Sequence, residues 1–323
     1  MKSLSAIRCA VTGSLLILSL SACGRQSVPE ARTSRLTGGA ATRNLVLITV
    51  DTLRADRLGA QGHLVSGSSP SPHIDKFVAS GVHFVNATAP RAITWPSLAS
   101  VLTGLYPSAH GVYENGYELA DEIPTLAKLL QSQGYQTGRF LSNMCSANAL
   151  GWSRSFCSKG VDSRINPAAL EWLTAIDPDR PFFLWVHYFG AHSPYYNGGN
   201  RSLQIDPGYE GPVAPRKGWL NRIMTEQIEL GDADIRHLDA LYDASVMGSD
   251  DFVGDLLREL QRRSLDPKSL FVFLADHGED LYDHNRYLYH ACSVYQTSLH
   301  VPLSITAPGL LPEERVLKPD VEL

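Results

Sequence analysis

Three runs of consecutive apolar residues, rich in β-branched and aromatic side chains, mark the chain. They lie at residues 44–50, 182–186 and 270–274. Apolar runs of this length that do not alternate with polar residues are typical of strands buried on both faces, as in parallel sheets. Each run therefore predicts a central strand.

Between these strands, apolar residues recur with the spacing of amphipathic helices. The predicted helices span residues 97–102, 124–133 and about 234–263. Alternating buried strands and helices predict an α/β fold, with a central, mostly parallel sheet sandwiched by helices. In such sheets, ligands bind beyond the carboxyl ends of the strands.

Polar residues capable of chemistry follow two of the predicted strands. Asp51 comes directly after the first run, and Asp276 and His277 come just after the third. Two carboxylates and an imidazole can hold a divalent metal ion. Taken singly, each residue has a simpler structural explanation: Asp51 could cap the next turn, and Asp276 and His277 could belong to a loop in which the histidine makes ordinary hydrogen bonds. Their joint placement at strand ends favours one shared site.

A predicted helix begins near Thr94, with Pro96 in its first turn. Threonine followed by proline is a common helix start, which explains the pattern without any function. The free N–H groups of a helix start also bind anions such as phosphate or sulfate. A metal ion there would lower the pKa of the Thr94 hydroxyl and make it a nucleophile.

The first residues have the pattern of a targeting segment. Lys2 and Arg8 precede an apolar run at residues 10–20, which is too short to span a bilayer. Leu-Ser-Ala-Cys at residues 20–23 then resembles a bacterial lipobox. We predict a lipoprotein signal peptide at residues 1–22, lipidation of Cys23 and a tether at residues 23–42. A plain signal peptide or a short buried helix are the alternatives.

Charge and cysteine content argue against two classes of protein, those that bind nucleic acid and those with a structural zinc site. The chain has 28 basic and 33 acidic residues, a formal net charge of −5, and no basic stripe, which argues against nucleic acid as a partner. Cys145 and Cys157 are close enough in sequence to form a disulfide in an oxidising compartment, or they remain buried thiols. The sequence contains no CxxC pattern, which is the pattern that would indicate a structural zinc site.

Six short motifs occur along the chain beyond the predicted tether. They are Val-Asp-Thr-Leu-Arg-Ala-Asp at 50–56, Pro-His-Ile-Asp at 72–75, Leu-Thr-Gly-Leu-Tyr-Pro-Ser-Ala-His-Gly-Val at 102–112, His-Ser-Pro-Tyr at 192–195, Asp-His-Gly-Glu at 276–279 and His-Val-Pro-Leu at 300–303. Together they resemble the motifs of the sulfatase family within the alkaline-phosphatase-like superfamily. The resemblance runs from about residue 44 to residue 308, nearly the whole chain beyond the predicted tether.

The resemblance implies one divalent metal ion, with zinc or manganese favoured over calcium because of the imidazole. The implied ligands are Asp51, Thr94, Asp276 and His277. His192 and His290 lie where relatives hold the transferred group or protonate the leaving oxygen. Many sulfatases have a second Asp where this chain has Thr52.

The chain differs from the sulfatase signature at the cysteine and arginine positions of Cys-x-Pro-Ser-Arg. Thr94 stands where Cys-x-Pro-Ser-Arg has the cysteine that becomes formylglycine, and Leu98 stands at the arginine position. We therefore expect no formylglycine. A sulfated threonine lacks the second hydroxyl that expels sulfate, whereas a phosphothreonine can be attacked in line. Phosphodiesterase and phosphoethanolamine- or glycerophosphate-transferase relatives have threonine here.

These features predict a sulfatase-family, metal-dependent hydrolase, anchored by lipid in the bacterial cell envelope and facing the periplasm or exterior. Its substrate would be a small-molecule, lipid or glycan ester, with phosphoester hydrolysis or phosphotransfer favoured. The alternatives are a true sulfuric ester hydrolase and a degenerate, non-catalytic envelope lipoprotein. We expect the catalytic domain at residues 43–323 to lack the C-terminal subdomain of its relatives.

Overall fold

A nine-stranded sheet lies at the centre of the described part of the chain. The computed structural model describes residues 43–145, 151–216, 218–226, 228–284, 288–291 and 293–323. The strands are β1 (Asn44–Val50), β2 (Val82–Thr88), β3 (Gln136–Leu141), β4 (Arg154–Cys157), β5 (Phe182–Tyr188), β6 (Ser269–Ala275), β7 (Asp280–Leu281), β8 (Leu288–Tyr289), β9 (His300–Thr306), β10 (Arg315–Leu317) and β11 (Val321–Glu322). The strand order in the large sheet is β10-β2-β9-β6-β1-β5-β3-β4, and β11 also pairs with β2.

Helices connect these strands. They are α1 (Pro72–Ala79), α2 (Thr94–Thr103), α3 (Pro107–His110), α4 (Leu126–Ser132), α5 (Ile165–Ala175), α6 (Arg201–Ile205), α7 (Trp219–Glu226), α8 (Asp232–Arg262) and α9 (Gln296–Leu299). Short 3-10 turns span Ala55–Arg57, Gly59–Gln61, Asp162–Arg164, Tyr196–Gly198 and Asp266–Lys268. The predicted signal peptide at residues 1–22, the predicted lipidation site Cys23 and the predicted tether at residues 23–42 lie outside the described residues.

The sheet is mostly parallel, as predicted. Strands β6, β1, β5, β3 and β4 pair in parallel, while β9 runs antiparallel to both β6 and β2. The first predicted strand matches β1, while β5 ends two residues later than its prediction, at Tyr188, and β6 extends one residue beyond its prediction at each end. The carboxyl ends of β1 and β6 therefore lie side by side.

Helices cover both faces of the sheet, which confirms the predicted sandwich. Val46, Ile48 and Val50 of β1 belong to one apolar cluster with buried side chains of α1, α5 and α8. Leu47 points to the opposite face and belongs to a second cluster with α2 and α4. Because both faces of β1 are covered, its run of apolar residues does not alternate with polar ones.

Helix α2 begins at Thr94, three residues before the predicted apolar helical pattern at residues 97–102. Ile93 is the N-cap residue, and Thr94 is the first residue with helical geometry. Thr94 therefore does not cap the helix, and the cap position makes no side-chain hydrogen bond. The helix ends at Gly104, whose φ of 68° is easily adopted only without a β-carbon.

Cys145 and Cys157 form a disulfide, with their Cα atoms 5.5 Å apart. The bond joins the segment after β3 to the last residue of the neighbouring strand β4. Of the two alternatives from the sequence, the disulfide is therefore the one that the structure contains.

Within the described residues, even the longest helices are too polar to cross a bilayer. The 31-residue α8 illustrates this, because it has acidic and basic residues along much of its length.

Removal of the disulfide is expected to lower the free energy of unfolding by about 3 kcal/mol, because the cross-link restricts the unfolded chain. Urea unfolding of the Cys145→Ser/Cys157→Ser variant and the parent chain measures the difference. Dithiothreitol should destabilise the parent by a similar amount and leave the double variant unchanged. Equal stability of both proteins without reductant would contradict the prediction.

Candidate active site

The residues predicted to bind metal converge at the carboxyl ends of β1 and β6. Asp51, Asp276 and His277 are all fully buried. The Nε2 atom of His277 lies 3.6 Å from Asp51 Oδ1 and 3.5 Å from Asp276 Oδ2. Two neighbouring strands thus bring together residues that are more than 200 positions apart.

The His277 ring is oriented by its own loop. Its Nδ1 atom lies 2.9 Å from the carbonyl oxygen of Gly278, to which only an N–H can donate. The neutral ring therefore has a lone pair on Nε2, directed at the two carboxylates. Thr94 Oγ1 lies 3.4 Å from the same nitrogen. All four predicted ligands consequently face one point.

The donor atoms at this point fit a divalent cation. Asp51 Oδ1 and Asp276 Oδ2 are buried and have no hydrogen-bond partner in the described structure. Buried carboxylate oxygens without a partner are costly, and a bound cation removes that cost. An imidazole that donates its other N–H to a carbonyl is the usual form of a metal-binding histidine.

Burial shifts the protonation of both carboxyl groups. It raises the pKa of Asp51 well above the usual value, and the nearby charge of Asp276 raises it further. Burial also raises the pKa of Asp276 to about 8, although the backbone N–H groups of His277 and Thr52 oppose the shift. Without a cation, the two groups therefore resist being ionised together.

Helix α2 holds Thr94 beside the carboxylates. The Ser97 hydroxyl donates a 2.6 Å hydrogen bond to the carbonyl of Asp276, which fixes the helix start to the end of β6. The backbone N–H of Trp95 donates to Asn115 Oδ1 at 2.8 Å, so this N–H is already paired. Leu98, at the position of the signature arginine, is buried in the apolar cluster beneath the helix.

Arg54 in the first motif is part of the framework. Its guanidinium donates to both oxygens of Asp56 and to both oxygens of Asp283, at 2.8–3.2 Å. It also donates to the carbonyl of Glu279 at 3.2 Å. Arg54 thereby ties the segment after β6 to the segment after β1.

His290 lies next to His277, and His192 lies next to His290. The ring centroids of His277 and His290 are 4.5 Å apart, and those of His290 and His192 are 4.9 Å apart. Burial lowers the pKa of His192 to about 4 and that of His290 well below its usual value. The structure therefore places both predicted histidines at the site, as uncharged rings near neutral pH.

Glu279 is a further buried acid behind the histidines. Neither of its carboxylate oxygens has a hydrogen-bond partner, and Oε1 lies 3.5 Å from His290 Nδ1. Burial raises the pKa of Glu279 to about 7. Glu279 belongs to the Asp-His-Gly-Glu motif, but no separate role was predicted for it from the sequence.

Sequence reasoning missed two polar residues that reach Asp51. Asn143 follows β3, and its side-chain amide donates to Asp51 Oδ2. His187 lies in β5, and its Nε2 atom is 3.9 Å from the same oxygen. Asp51, His187 and Asp276 also group closely enough to share an ion. The only signal in the sequence was a histidine within a buried strand, directly after the predicted apolar run.

A family model described as Sulfatase matches residues 43–321. The chain therefore belongs to the sulfatase family, as the motifs predicted.

Curated relatives include arylsulfatase K of Mus musculus, which is 23% identical, with 74% of this chain and 52% of that protein covered. The ulvan-active sulfatase of Formosa agariphila is 24% identical, with 83% and 56% covered. Human iduronate 2-sulfatase is 26% identical, with 82% and 60% covered. The chain thus spans a little over half the length of these relatives.

Solved structures share the fold. The phosphonate monoester hydrolase of Agrobacterium radiobacter has a TM-score of 0.68 at 20% identity, over 87% of this chain and 71% of that chain. A protein in complex with D-glucosamine-2-N,6-O-disulfate has a TM-score of 0.70 at 17% identity, over 87% and 74%. These similarities confirm the predicted architecture. The names of the relatives include both sulfate and phosphonate esters.

The raised carboxyl pKa values predict that the metal-free protein loses stability as pH rises from 7 to 8. The folded state retains protons on Asp276 and Glu279 that the unfolded chain has released, so unfolding is increasingly favoured. His187 and His192, with pKa values lowered to about 3 and 4, destabilise the fold only below their unfolded pKa of about 6.5. We expect a loss of about 1 kcal/mol over this pH unit.

Urea unfolding in EDTA at pH 7 and pH 8 measures this loss. Saturating zinc or manganese should remove most of the pH dependence, because the cation replaces the protons on its carboxylate ligands, and Asp276→Asn should also reduce it. A free energy of unfolding that rises with pH in EDTA would contradict the prediction.

Proposed function

We propose that this chain is a metal-dependent ester hydrolase that acts on phosphate esters, with Thr94 as its nucleophile. One observation carries the proposal. The Thr94 hydroxyl, which does not cap its helix, faces the same point as His277 Nε2 and two unpartnered carboxylate oxygens. A hydroxyl beside that ligand set can be activated for attack on an ester.

Asp51, Asp276 and His277 would hold a zinc or manganese ion together with Thr94. When bound, that ion would supply positive charge worth several kcal/mol at the transferred group and would lower the hydroxyl pKa. Thr94 Oγ1 releases its proton to solvent and attacks phosphorus, the bond from phosphorus to the leaving oxygen breaks, and the leaving oxygen takes a proton. Water or an acceptor alcohol then loses a proton and attacks the phosphothreonine. The bond from phosphorus to Oγ1 breaks, and Oγ1 takes a proton, which regenerates the hydroxyl.

His192 and His290 would manage the leaving-group proton. His192 Nδ1 donates to the carbonyl of Ser193, so its Nε2 atom, 3.4 Å from the hydroxyl of Tyr289, can accept or relay a proton. The His290 ring adjoins His277, and the His192 ring adjoins His290, which supports a role for both near a group bound beside Thr94.

The identity of the nucleophile supports phosphate over sulfate. Release of sulfate from threonine requires attack of water on sulfur, because threonine has no second hydroxyl for elimination. Phosphorus accepts in-line attack readily, which makes a phosphothreonine a competent intermediate. The phosphonate monoester hydrolase among the structural neighbours shows the same fold with a phosphorus ester named as substrate.

Sulfate ester hydrolysis is the second candidate, since the curated relatives named above are sulfatases. A non-catalytic role is the third. The unpartnered oxygens of Asp51 and Asp276 oppose a non-catalytic role, because they add a folding cost that a purely structural protein has no reason to retain.

We also propose that the chain is anchored to the bacterial envelope through a lipid on Cys23. The lipobox-like Leu-Ser-Ala-Cys at residues 20–23 supports this localisation. An anchored chain would meet lipid-borne or extracellular glycan esters as readily as small molecules.

The nucleophile is tested by turnover of 4-nitrophenyl phosphate, bis(4-nitrophenyl) phosphate, a 4-nitrophenyl phosphonate and 4-nitrophenyl sulfate with zinc or manganese. We expect metal-dependent phosphoester or phosphonate cleavage that falls by about a thousandfold or more in Thr94→Ala, because no other hydroxyl replaces Oγ1. Thr94→Ser, which keeps the hydroxyl, should retain part of the activity. Cleavage of the sulfate ester alone would overturn the substrate class.

The anchor is tested by partition of the expressed protein into Triton X-114 and by incorporation of labelled palmitate. The parent chain should enter the detergent phase and become labelled, whereas Cys23→Ala should do neither, because the acylated thiol is gone. Unlabelled parent protein from a bacterial host that acylates a control lipoprotein would disprove the anchor.

A further inference from the structure

His187 lies on a chain of buried polar groups that leads from the core to Asp51. It is fully buried in β5, directly beside Thr49 of β1 in the parallel register. A histidine in the interior of a central strand requires partners for both ring nitrogens. Nδ1 has one, because it lies 2.7 Å from Thr49 Oγ1, whereas Nε2 has none.

The hydrogen bonds of Thr49 indicate which nitrogen has the proton. The indole N–H of Trp185 can only donate, and it donates to Thr49 Oγ1 at 3.0 Å. The single hydroxyl proton of Thr49 then goes either to His187 Nδ1 at 2.7 Å or to the carbonyl of Val186 at 3.3 Å. The shorter contact has the usual length of a strong hydrogen bond and favours His187.

With Nδ1 as acceptor, the neutral ring has its proton on Nε2. This N–H faces Asp51 Oδ2, 3.9 Å away, which is the same oxygen that the Asn143 amide contacts. The other tautomer would direct a nitrogen lone pair at a carboxylate oxygen, which is repulsive. The groups from Trp185 to Asp51 therefore form a chain of donors that all point in one direction.

We propose that His187 is a positioning residue of the metal site: its Nε2–H donates to Asp51 Oδ2 when a metal ion binds. Together with Asn143, it holds the outer oxygen of Asp51 and leaves Oδ1, which faces His277, free to ligate the ion. Carboxylate ligands held in this way bind metal more tightly, and loss of such a contact typically weakens binding 10- to 100-fold. The inference rests on the metal ion of the proposed function.

The experiment measures zinc affinity of the metal-free whole chain by competition with a chromogenic chelator, which does not depend on turnover. His187→Phe keeps the ring volume and removes both nitrogens, and it should raise the zinc Kd about 10- to 100-fold. His187→Gln, whose amide can donate from nearly the position of Nε2, should restore most of the affinity. A Kd unchanged in His187→Phe would overturn the proposal.

Thr49 provides a test away from the ligands. Thr49→Val is close to isosteric and removes the hydroxyl that orients His187, so it should raise the zinc Kd several-fold, in the same direction as His187→Phe. Thr49→Ser keeps the hydroxyl and should stay within about twofold of the parent. Thermal unfolding of the metal-free variants confirms that each is folded. Equal zinc affinity of folded Thr49→Val and Thr49→Ser would contradict the chain of donors.

X-ray absorption of the zinc-loaded protein separates positioning from direct ligation. One imidazole in the zinc shell, supplied by His277, is the expected result, and it should remain in His187→Gln. Two imidazoles in the parent and one in His187→Gln would make His187 a ligand and overturn the proposal. If the parent binds no zinc or manganese at all, the proposed function fails as well.

Discussion

The arrangement of the active site depends on the mutual repulsion of two buried carboxylates. Asp51 and Asp276 are fully buried at the ends of neighbouring strands, and each has an oxygen without a hydrogen-bond partner. Their remaining oxygens receive donors: the backbone N–H groups of Thr52 and His277 for Asp276, and the Asn143 amide for Asp51. This division holds one oxygen of each carboxylate in place and directs the other at a shared point.

The motif at residues 50–56 supports this pair of carboxylates in two ways. Asp51 supplies a donor atom, while Arg54 binds the segment after β6 through Asp283 and the carbonyl of Glu279. The planar guanidinium matches both carboxylates that it contacts, which a lysine could not do. The hydroxyl of Tyr242 in α8 adds a hydrogen bond to the carbonyl of Thr52 at 2.7 Å, so the long helix also supports this turn.

Much of the fold and site followed from local patterns. Strands β1, β5 and β6 were predictable because both faces of each are covered, and the residues that follow β1 and β6 had to meet because the two strands are parallel neighbours. Asn143 and His187 were not predictable in the same way. Strand β3, which delivers Asn143, has Gln136, Gly138 and Arg139 among its six residues and lacks an apolar run. The role of His187 depends on its register with Thr49, which one sequence does not contain.

The central position of β1 has a consequence for synthesis of the chain. The strand that emerges first from the ribosome, among those described, pairs on one side with β5 and on the other with β6. The edge that pairs with β5 stays open until residues 138 positions later have been made, and the edge that pairs with β6 until residues more than 200 positions later have been made. Pairing over such distances is slow and leaves apolar edges exposed to other chains. One edge of β1 is therefore open to other chains until β6 has been translated, and the active site assembles only then.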